Sequence, residues 1–436
     1  MATDSKHFKI TVVGLGKIGL PLAAQYASKG HFVIGADISE STVNTVNNKQ
    51  EPFPGEANLL KTLETAVGSG NLSATTDTSG AVMQSDVVVV AVPLFVDRDT
   101  RPDFRAMDSA TRSIGAGLQK GTLVAYETTL PVGTTRKRLT PILEQESGLT
   151  AGKDFFVVFS PERVLTGRVF ADLRKYPKLV GGIDVESESL ATDFYNAVLD
   201  FDEREDLPKP NGVWGLGSSE AAELAKLAET TFRDVNIALA NQFALHSEEL
   251  GVNVYQVIEA CNSQHFSHIH QPGVAVGGHC IPVYPHLYLH GDKEASVVSA
   301  SRLANKKMPI HVVEKTSLAL GGLVGARIAI LGLAYRGGVK EHAFSGAWDL
   351  ISEVISRGGI PLVYDPMYSS AEIQDLGLEP YTLGDNCDAA IVQSDHPEFS
   401  SLNTTDLPSA RFLVDGRNCT SEDLRSSIPA YVVGIG

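Results

Sequence analysis

The chain has 436 residues, of which 43% are hydrophobic and 20% are charged, which favours a globular protein of two or three domains. Its formal net charge of −16 argues against nucleic acid as a partner, because binding to phosphates needs a basic surface. We find no run of about 18 apolar residues that would span a bilayer and no signal peptide, so we expect no membrane partner. The four cysteines form no CxxC pair, which argues against a zinc site and, with no disulfide framework, favours the cytoplasm.

The first predicted elements are a strand, a glycine-rich turn, a helix and a second strand. The apolar strand 9–13 leads into Gly14-Leu15-Gly16-Lys17-Ile18-Gly19, and the strand 31–36 ends at Asp37. A GxGxxG turn alone also occurs in unrelated α/β domains, but this order of elements is typical of dinucleotide-binding domains. The glycines allow a pyrophosphate to approach the helix N-terminus closely. Asp37 would bind the ribose hydroxyls and repel a 2′-phosphate, which favours NAD over NADP.

The remaining elements alternate strand and helix on either side of one long helical segment. Three unbroken apolar runs predict buried parallel strands of a doubly wound first domain: 86–92, 122–126 and 155–159. Residues 218–249 predict a helix long enough to bridge two domains, with Ser218 ahead of acidic residues at its start. A second α/β unit is predicted by a strand, a helix and a strand at 327–332, 347–356 and 361–365.

The stretch 273–282 places one cysteine behind a glycine pair. Gly277 and Gly278 allow close approach or a positive φ, and Pro282 stiffens the exit, so Cys280 is held on a shaped turn. A lone cysteine is more often a small buried apolar residue than a nucleophile. In a chain that also carries a dinucleotide-binding fingerprint, Cys280 is nonetheless our candidate nucleophile.

Further motifs follow the glycine fingerprint along nearly the whole chain. They are Glu127-Thr128-Thr129-Leu130-Pro131-Val132-Gly133, Ser160-Pro161-Glu162-Arg163-Val164, Ala225-Lys226-Leu227, Phe232-Arg233-Asp234-Val235-Asn236, Gly277-Gly278-His279-Cys280-Ile281-Pro282 and Asp415-Gly416-Arg417-Asn418. In this order they resemble the nucleotide-sugar 6-dehydrogenases of the UDP-glucose/GDP-mannose dehydrogenase family. His279 before the cysteine and Ile281-Pro282-Val283 after it resemble the branch that acts on UDP-N-acetylhexosamines.

The resemblance implies an α/β fold of two Rossmann-like doubly wound domains, joined by a long central helix that forms a homodimer. We therefore expect an NAD-binding domain at 1–212, a central helical dimerisation region with the cysteine turn at 213–320, and a nucleotide-sugar-binding domain at 321–436. The implied reaction oxidises the C6 alcohol of a nucleotide sugar to a carboxylate with two NAD.

The resemblance also implies a role for individual residues. Cys280 would trap the aldehyde as a thiohemiacetal that becomes a thioester, Lys226 would stabilise the oxyanion, and Glu162, with Thr129, would activate and position the hydrolytic water. The residues expected at NAD are Gly14, Gly16, Lys17, Ile18, Gly19, Asp37, Pro93 and Thr129. The residues expected at the nucleotide sugar are Glu162, Arg163, Lys226, Gly277, Gly278, Arg336 and Arg417.

Five positions depart from the family pattern. Thr230 stands where the family has an asparagine, and Tyr284 where it has an aspartate. Phe266 replaces an arginine that the family lends across the dimer, Arg336 replaces a lysine, and Ala343 replaces an arginine. The changes at Phe266 and Ala343 each remove a guanidinium that could hold a phosphate.

These departures leave alternatives to the complete oxidation of a UDP-N-acetylhexosamine. One is a single two-electron oxidation of an atypical nucleotide-linked alcohol, and another is oxidation of UDP-glucose. A third is a catalytically weak homologue that binds nucleotide sugars. Cys280, Lys226 and Glu162 argue against the third, because a binding protein has no need of a thioester apparatus.

Overall fold

The computed structural model describes residues 7–53, 55–97 and 99–434. The chain divides into two compact units, Met1–Ala228 and Glu229–Gly436. The division falls inside the helix Ser219–Leu250, so both units contain part of it. The predicted central helix is therefore confirmed, whereas the three-domain division at 212 and 320 stays a prediction.

The first unit is built on a mostly parallel sheet. Its strands are β1 (Lys9–Val13), β2 (Phe32–Ala36), β3 (Leu72–Thr75), β4 (Val87–Val90), β5 (Phe95–Val96), β6 (Pro102–Asp103), β7 (Leu123–Tyr126), β8 (Phe156–Phe159), β9 (Lys178–Gly182) and β10 (Val213–Gly215). Eight of them form one sheet in the order β10-β9-β8-β7-β4-β1-β2-β3, while β5 and β6 form a separate antiparallel pair. Only the β8–β9 pairing within the large sheet is antiparallel.

The helices of the first unit begin with α1, directly after the glycine turn. They are α1 (Gly19–Ser28), α2 (Glu40–Asn47), α3 (Leu59–Gly68), α4 (Thr78–Val82), α5 (Arg105–Gly117), α6 (Thr140–Ser147) preceded by a π-helical turn (Thr135–Leu139), α7 (Val169–Lys175), α8 (Val185–Val198) and α9 (Ser219–Leu250). Several have polar N-caps; Asp184, for example, accepts a 2.7 Å bond from the Ser187 N–H at the start of α8.

The second unit repeats the same sheet plan. Its strands are β11 (Arg327–Leu331), β12 (Ile360–Tyr364), β13 (Glu379–Pro380), β14 (Ala389–Val392), β15 (Phe412–Asp415) and β16 (Ala430–Val433). All pair in parallel in the order β13-β12-β11-β14-β15-β16. That is the 3-2-1-4-5-6 order of a doubly wound dinucleotide-binding fold, and the first sheet has the same order around β1 and β4. The predicted fold class is confirmed in both units.

The remaining helices are α10 (Val254–Asn262), α11 (Tyr284–Gly291), α12 (Ser296–Leu320), α13 (Ala347–Ser356), α14 (Ser370–Asp375), α15 (Glu422–Ser427) and a 3₁₀ turn (Pro397–Ser401). Of these, α13 is the one predicted at 347–356. Helix α12 was not predicted, and it continues through Pro309, a residue that usually ends a helix. No helix in the described part of the chain combines the length and apolar character needed to cross a membrane.

One buried carboxylate joins the start of α9 to the loop after β7. Glu223 is fully buried and accepts bonds from the Gly133 N–H, the Thr135 N–H at 2.8 Å and the Thr135 hydroxyl at 2.7 Å. Burial raises the pKa of this carboxyl to about 7. Glu223 therefore fixes the helix that carries Lys226 against the loop that begins near Thr129.

We expect Glu223→Ala to destabilise the protein by about 2–3 kcal/mol, because two buried backbone N–H groups lose their acceptor. Urea unfolding should show this as a lower midpoint. Glu220→Ala is the matched control on the same helix, since Glu220 pairs with Arg136 in a partly exposed ion pair worth about 0–1 kcal/mol. Equal midpoint shifts for the two variants would contradict this account of Glu223.

Candidate functional site

The glycine turn leaves room for a ligand on one side only. A Cβ on Gly14, which has φ +94°, would lie 3.1 Å from the Ala91 backbone, and a Cβ on Gly19 would lie 1.8 Å from the Gly14 carbonyl oxygen. A Cβ on Gly16 would meet no atom within 4 Å. The turn is therefore packed tightly against β4 and open at Gly16, as close approach of a pyrophosphate to the start of α1 requires.

Asp37 follows β2 and is bound to the same turn. Its Oδ2 accepts a 2.8 Å bond from the Leu15 N–H, and its Oδ1 accepts a 2.9 Å bond from the Ser39 N–H. The side chain is only half-buried, so its remaining lone pairs can reach a ligand. The arrangement fits NAD, whose ribose hydroxyls such an acidic residue binds.

The other residues expected at NAD lie beyond neighbouring strands of the same sheet. Pro93 follows β4, and Thr129 follows β7 and is buried. The Thr128 hydroxyl donates a 2.7 Å bond to the Val92 carbonyl and so ties the two loops together. Parallel strands end at one edge of a sheet, and the loops after β1, β2, β4 and β7 therefore share that edge. Lys17 is exposed and Ile18 half-buried on the turn itself.

The proposed base Glu162 belongs to a buried group that we call the Lys178 cluster, made of Tyr26, Glu127, Glu162, Lys178 and Tyr195. The Lys178 ammonium, on β9, contacts the Glu162 Oε1 and lies 3.0 Å from the Glu127 Oε2. The Tyr195 hydroxyl donates a 2.6 Å bond to the Glu127 Oε1, and Lys178 lies 4.7 Å from the Tyr195 ring centre. All five residues are at most 9% exposed.

The two carboxyl groups of the cluster have opposite pKa shifts. Burial, reinforced by the charge of Glu162, raises the pKa of Glu127 to about 8 despite the attraction of Lys178. Burial alone would raise the pKa of Glu162 too, but Lys178, a hydrogen bond with Glu127 and the Lys226 ammonium together lower it. These surroundings favour the ionised form of Glu162 and the protonated form of Glu127.

The motifs predicted Glu162 as a site residue and included Glu127, but they gave no role to Lys178, Tyr26 or Tyr195. One signal was present, since Lys178 opens a strand whose five residues are all buried. A lysine in such a strand needs an anionic partner. Arg163, next to Glu162, is half-buried, and its guanidinium lies 5.9 Å from the Tyr176 ring centre.

In the second unit, the cysteine turn is held by residues that follow β11. The Gly278 N–H donates a 3.0 Å bond to the Phe344 carbonyl, and a Cβ on Gly278, which has φ +100°, would lie 3.2 Å from the Tyr335 ring. A Cβ on Gly277 would lie 2.9 Å from the Tyr335 Cβ. Both glycines are therefore required by the close packing of Tyr335 on the turn, as the sequence predicted for a shaped turn.

Cys280 lies at the end of this turn, just ahead of α11. It is half-buried and forms no disulfide, and its carbonyl accepts a 2.9 Å bond from the Tyr284 N–H. The preceding His279 lies 3.5 Å from Glu341 (Nε2 to Oε2) and packs edge-on against Phe344, with ring centres 5.2 Å apart. The thiol thus lies at the end of a tightly packed turn, in a partly accessible position.

Two arginines expected at the nucleotide sugar lie at the carboxyl edge of the second sheet. Arg336 follows β11, and its Nε lies 3.3 Å from the Tyr335 hydroxyl. Arg417 follows β15, where its Nη1 would lie 3.0 Å from a Cβ on Gly273, and its Nη2 lies 3.7 Å from Asp395. A cavity of about 740 Å³ borders Arg417 and is lined otherwise mainly by α10. The second unit therefore brings the cysteine turn and both cationic residues to one region.

The positions that depart from the family pattern differ in their surroundings. Thr230 is fully buried on α9, while Phe266 is 82% exposed and stacks on His265 with ring centres 3.8 Å apart. Tyr284 is half-buried at the first residue of α11. The Ala343 N–H donates a 3.0 Å bond to the Glu341 side chain.

Known proteins match this chain over most of its length. The UDP-glucose/GDP-mannose dehydrogenase family is matched by its NAD binding domain at residues 8–199, its central domain at 220–307 and its UDP binding domain at 329–422. A UDP-N-acetyl-D-mannosamine dehydrogenase of Pyrococcus horikoshii is 34% identical over 425 residues, or 95% of this chain and 96% of that protein. The Escherichia coli K12 enzyme of the same name is 32% identical over 429 residues, which is 94% of this chain and 98% of that enzyme.

The solved structure of a UDP-D-ManNAc dehydrogenase from Pyrococcus horikoshii has a TM-score of 0.87 and 32% identity to this chain, covering 98% of it and 99% of that structure. The family resemblance inferred from the motifs is confirmed, as is NAD as the cofactor. The chain belongs to the UDP-glucose/GDP-mannose dehydrogenase family and is an NAD-dependent nucleotide-sugar dehydrogenase.

Proposed function

We propose that the protein oxidises the C6 alcohol of a UDP-N-acetylhexosamine, with UDP-N-acetyl-D-mannosamine as the first candidate, to the uronic acid. The observation that carries this proposal is the identity of 32–34% over at least 94% of the chain to enzymes named for that substrate. The cysteine turn supports it, because complete oxidation to an acid has to pass through an aldehyde that the enzyme must retain.

Cys280 is the proposed nucleophile for the second half of the reaction. NAD, when bound, takes up the hydride released in each of the two oxidations. The thiolate adds to the aldehyde carbon to form a thiohemiacetal, and loss of a second hydride from that carbon leaves a thioester. Water then displaces the thiolate and leaves the carboxylate of the product. The partial exposure of Cys280 at a turn suits such a role better than a place in the core.

Glu162, Thr129 and Lys226 are the proposed groups for hydrolysis and charge stabilisation. Because its pKa is lowered, Glu162 is a carboxylate at neutral pH and can take a proton from water. Lys226 is nearly buried, and its ammonium acts on Glu162; it would stabilise an oxyanion on the substrate. Thr129, buried at the end of the loop after β7, would position the water.

The binding roles follow the two sheets. We propose that Gly14, Gly16, Gly19 and Asp37 bind NAD. If Asp37 binds the ribose hydroxyls, kcat/KM should be higher with NAD than with NADP. Arg163, Arg336 and Arg417, with Gly277 and Gly278, are the proposed contacts of the nucleotide sugar. An arginine fork at position 336 can hold a phosphate in two hydrogen bonds where the family's lysine offers a point charge.

We expect Cys280→Ala to reduce NADH formation from UDP-N-acetyl-D-mannosamine on the order of 10³-fold, because no thioester can form. Cys280→Ser should instead accumulate an ester-linked sugar that intact-mass spectrometry detects. Cys261→Ser is the matched control, since Cys261 is a half-buried, unbonded cysteine of the same unit and should keep wild-type rates. Full turnover by Cys280→Ala would contradict the covalent scheme.

A homodimer is the proposed assembly. In the second unit, helix α9 exposes Phe232, Leu239, Phe243 and Leu250 by 58%, 46%, 37% and 62%. These residues recur seven and four positions apart, so they lie along one face of the helix. A two-fold partner would cover such a face with the same face of its own helix.

Light scattering should give twice the 46.6 kDa chain mass. Leu239→Asp should shift the protein toward the single-chain mass, because a charge would then lie in the interface. Val324→Asp is the control: Val324 is 90% exposed but lies outside α9, so this variant should leave the mass unchanged. A wild-type protein that is active and strictly monomeric would contradict the proposal.

A further inference from the structure

The Lys178 cluster contains one carboxyl group more than the proposed hydrolysis uses. Glu127 is 3% exposed and lies at the end of β7. Its Oε2 accepts from Lys178 at 3.0 Å, and its Oε1 accepts from the Tyr195 hydroxyl at 2.6 Å and the Tyr26 hydroxyl at 3.4 Å. Its backbone carbonyl also accepts a 3.3 Å bond from the Glu162 N–H. Three side chains therefore donate to one buried carboxyl group that has no role in the proposed hydrolysis.

Charge balance decides how many protons the cluster holds. Lys178 contacts both carboxyl groups, whereas Lys226 acts on Glu162, so Glu127 receives the smaller share of positive charge. Two buried carboxyl groups that share one lysine do not both ionise readily, and one of them retains its proton. Lys226 faces Glu162 and favours its ionised form, so the proton stays on Glu127.

The remaining titratable neighbours reinforce this arrangement. Burial raises the pKa values of Tyr26 on α1 and Tyr195 on α8, so both hydroxyls stay protonated and donate. The neutral Glu127 carboxyl can then donate its own hydrogen to Glu162, and that bond lowers the pKa of Glu162. The pKa of Glu127, raised by burial to about 8, agrees with this assignment.

We propose that Glu127 is a positioning residue that holds a proton beside Glu162 and thereby keeps Glu162 ionised, oriented and able to accept a proton from water. The inference rests on the proposed role of Glu162 as the base of thioester hydrolysis. When Glu127 loses its proton, it stops donating to Glu162 and competes with it for Lys178. Hydrolysis should therefore slow as the pH rises through the pKa of Glu127, about 8.

The test measures how fast the Cys280 thioester disappears after a single turnover, by acid quench and intact mass, from pH 6 to pH 10. The wild type should lose rate above about pH 8. Glu127→Gln cannot ionise but still donates through its amide, so the alkaline decline should vanish. Glu127→Leu cannot donate at any pH and should hydrolyse the thioester roughly tenfold more slowly throughout.

A second variant keeps the test decisive if substitutions at Glu127 unfold the protein. Tyr195→Phe removes a hydrogen bond that lowers the pKa of Glu127, so the alkaline decline should move to higher pH. Tyr126→Phe is its matched control, because the buried Tyr126 hydroxyl bonds Thr111 instead, at 3.1 Å, and the decline should stay in place. A decline that neither Glu127→Gln nor Tyr195→Phe moves would overturn the inference.

Glu162→Gln separates this inference from the proposed function. It should stop hydrolysis and let the thioester accumulate. If it does so while Glu127→Gln and Tyr195→Phe retain the wild-type pH profile, Glu162 is the base and only the role of Glu127 is wrong. If Glu162→Gln hydrolyses the thioester normally, both the proposed base and its positioning residue are overturned.

Discussion

Burial of the Lys178 ammonium is the constraint on which the carboxyl edge of the first sheet depends. A lysine with a 4% exposed side chain loses its hydration, and only charged or polar partners in contact can offset that loss. Two carboxyl groups, from the loops after β7 and β8, supply those partners, and the ring centre of Tyr195 on α8 lies 4.7 Å from the ammonium. The same contacts that make this lysine tolerable therefore fix the position of Glu162.

A second constraint is that parallel strands end at a common edge. Residues distant in the sequence meet because β1, β2, β4 and β7 are neighbours in one sheet, and β11, β14 and β15 are neighbours in the other. In each unit one tight turn is held in place by close packing: the Gly14 turn packs against Ala91, and the Gly277-Gly278 turn packs against Tyr335. The fold supplies the shared edge, and the glycines supply the close contact.

The sequence predicted best those features that are determined by a few consecutive residues. The glycine turn, Asp37 and the cysteine turn are short segments whose residue types fix their geometry, so they could be identified without a structure. The central helix was predicted from Ser218 ahead of acidic residues and from a long helical pattern. Each of its predicted limits, 218 and 249, differs from Ser219–Leu250 by one residue. Helix α12 was missed, partly because Pro309 lies inside it.

The Lys178 cluster could not be assembled from the sequence, because Tyr26 and Tyr195 lie far apart in the chain and meet only at Glu127. The ionisation of Glu162 depends on those contacts. A sequence motif therefore could not predict whether Glu162 carries a charge. Thr230, Phe266 and Tyr284 depart from the family pattern. Their identities alone do not tell which substrate the site accepts. The identity to mannosamine enzymes supports a family-type substrate despite them.

We propose that a single protein carries a sugar alcohol through two oxidations without releasing the aldehyde. The most direct measurement is the ratio of NADH formed to UDP-N-acetyl-D-mannosamine consumed at completion, with the product identified by mass. We expect two NADH for each sugar and a uronic acid as the product. One NADH for each sugar, with a free aldehyde in solution, would contradict it.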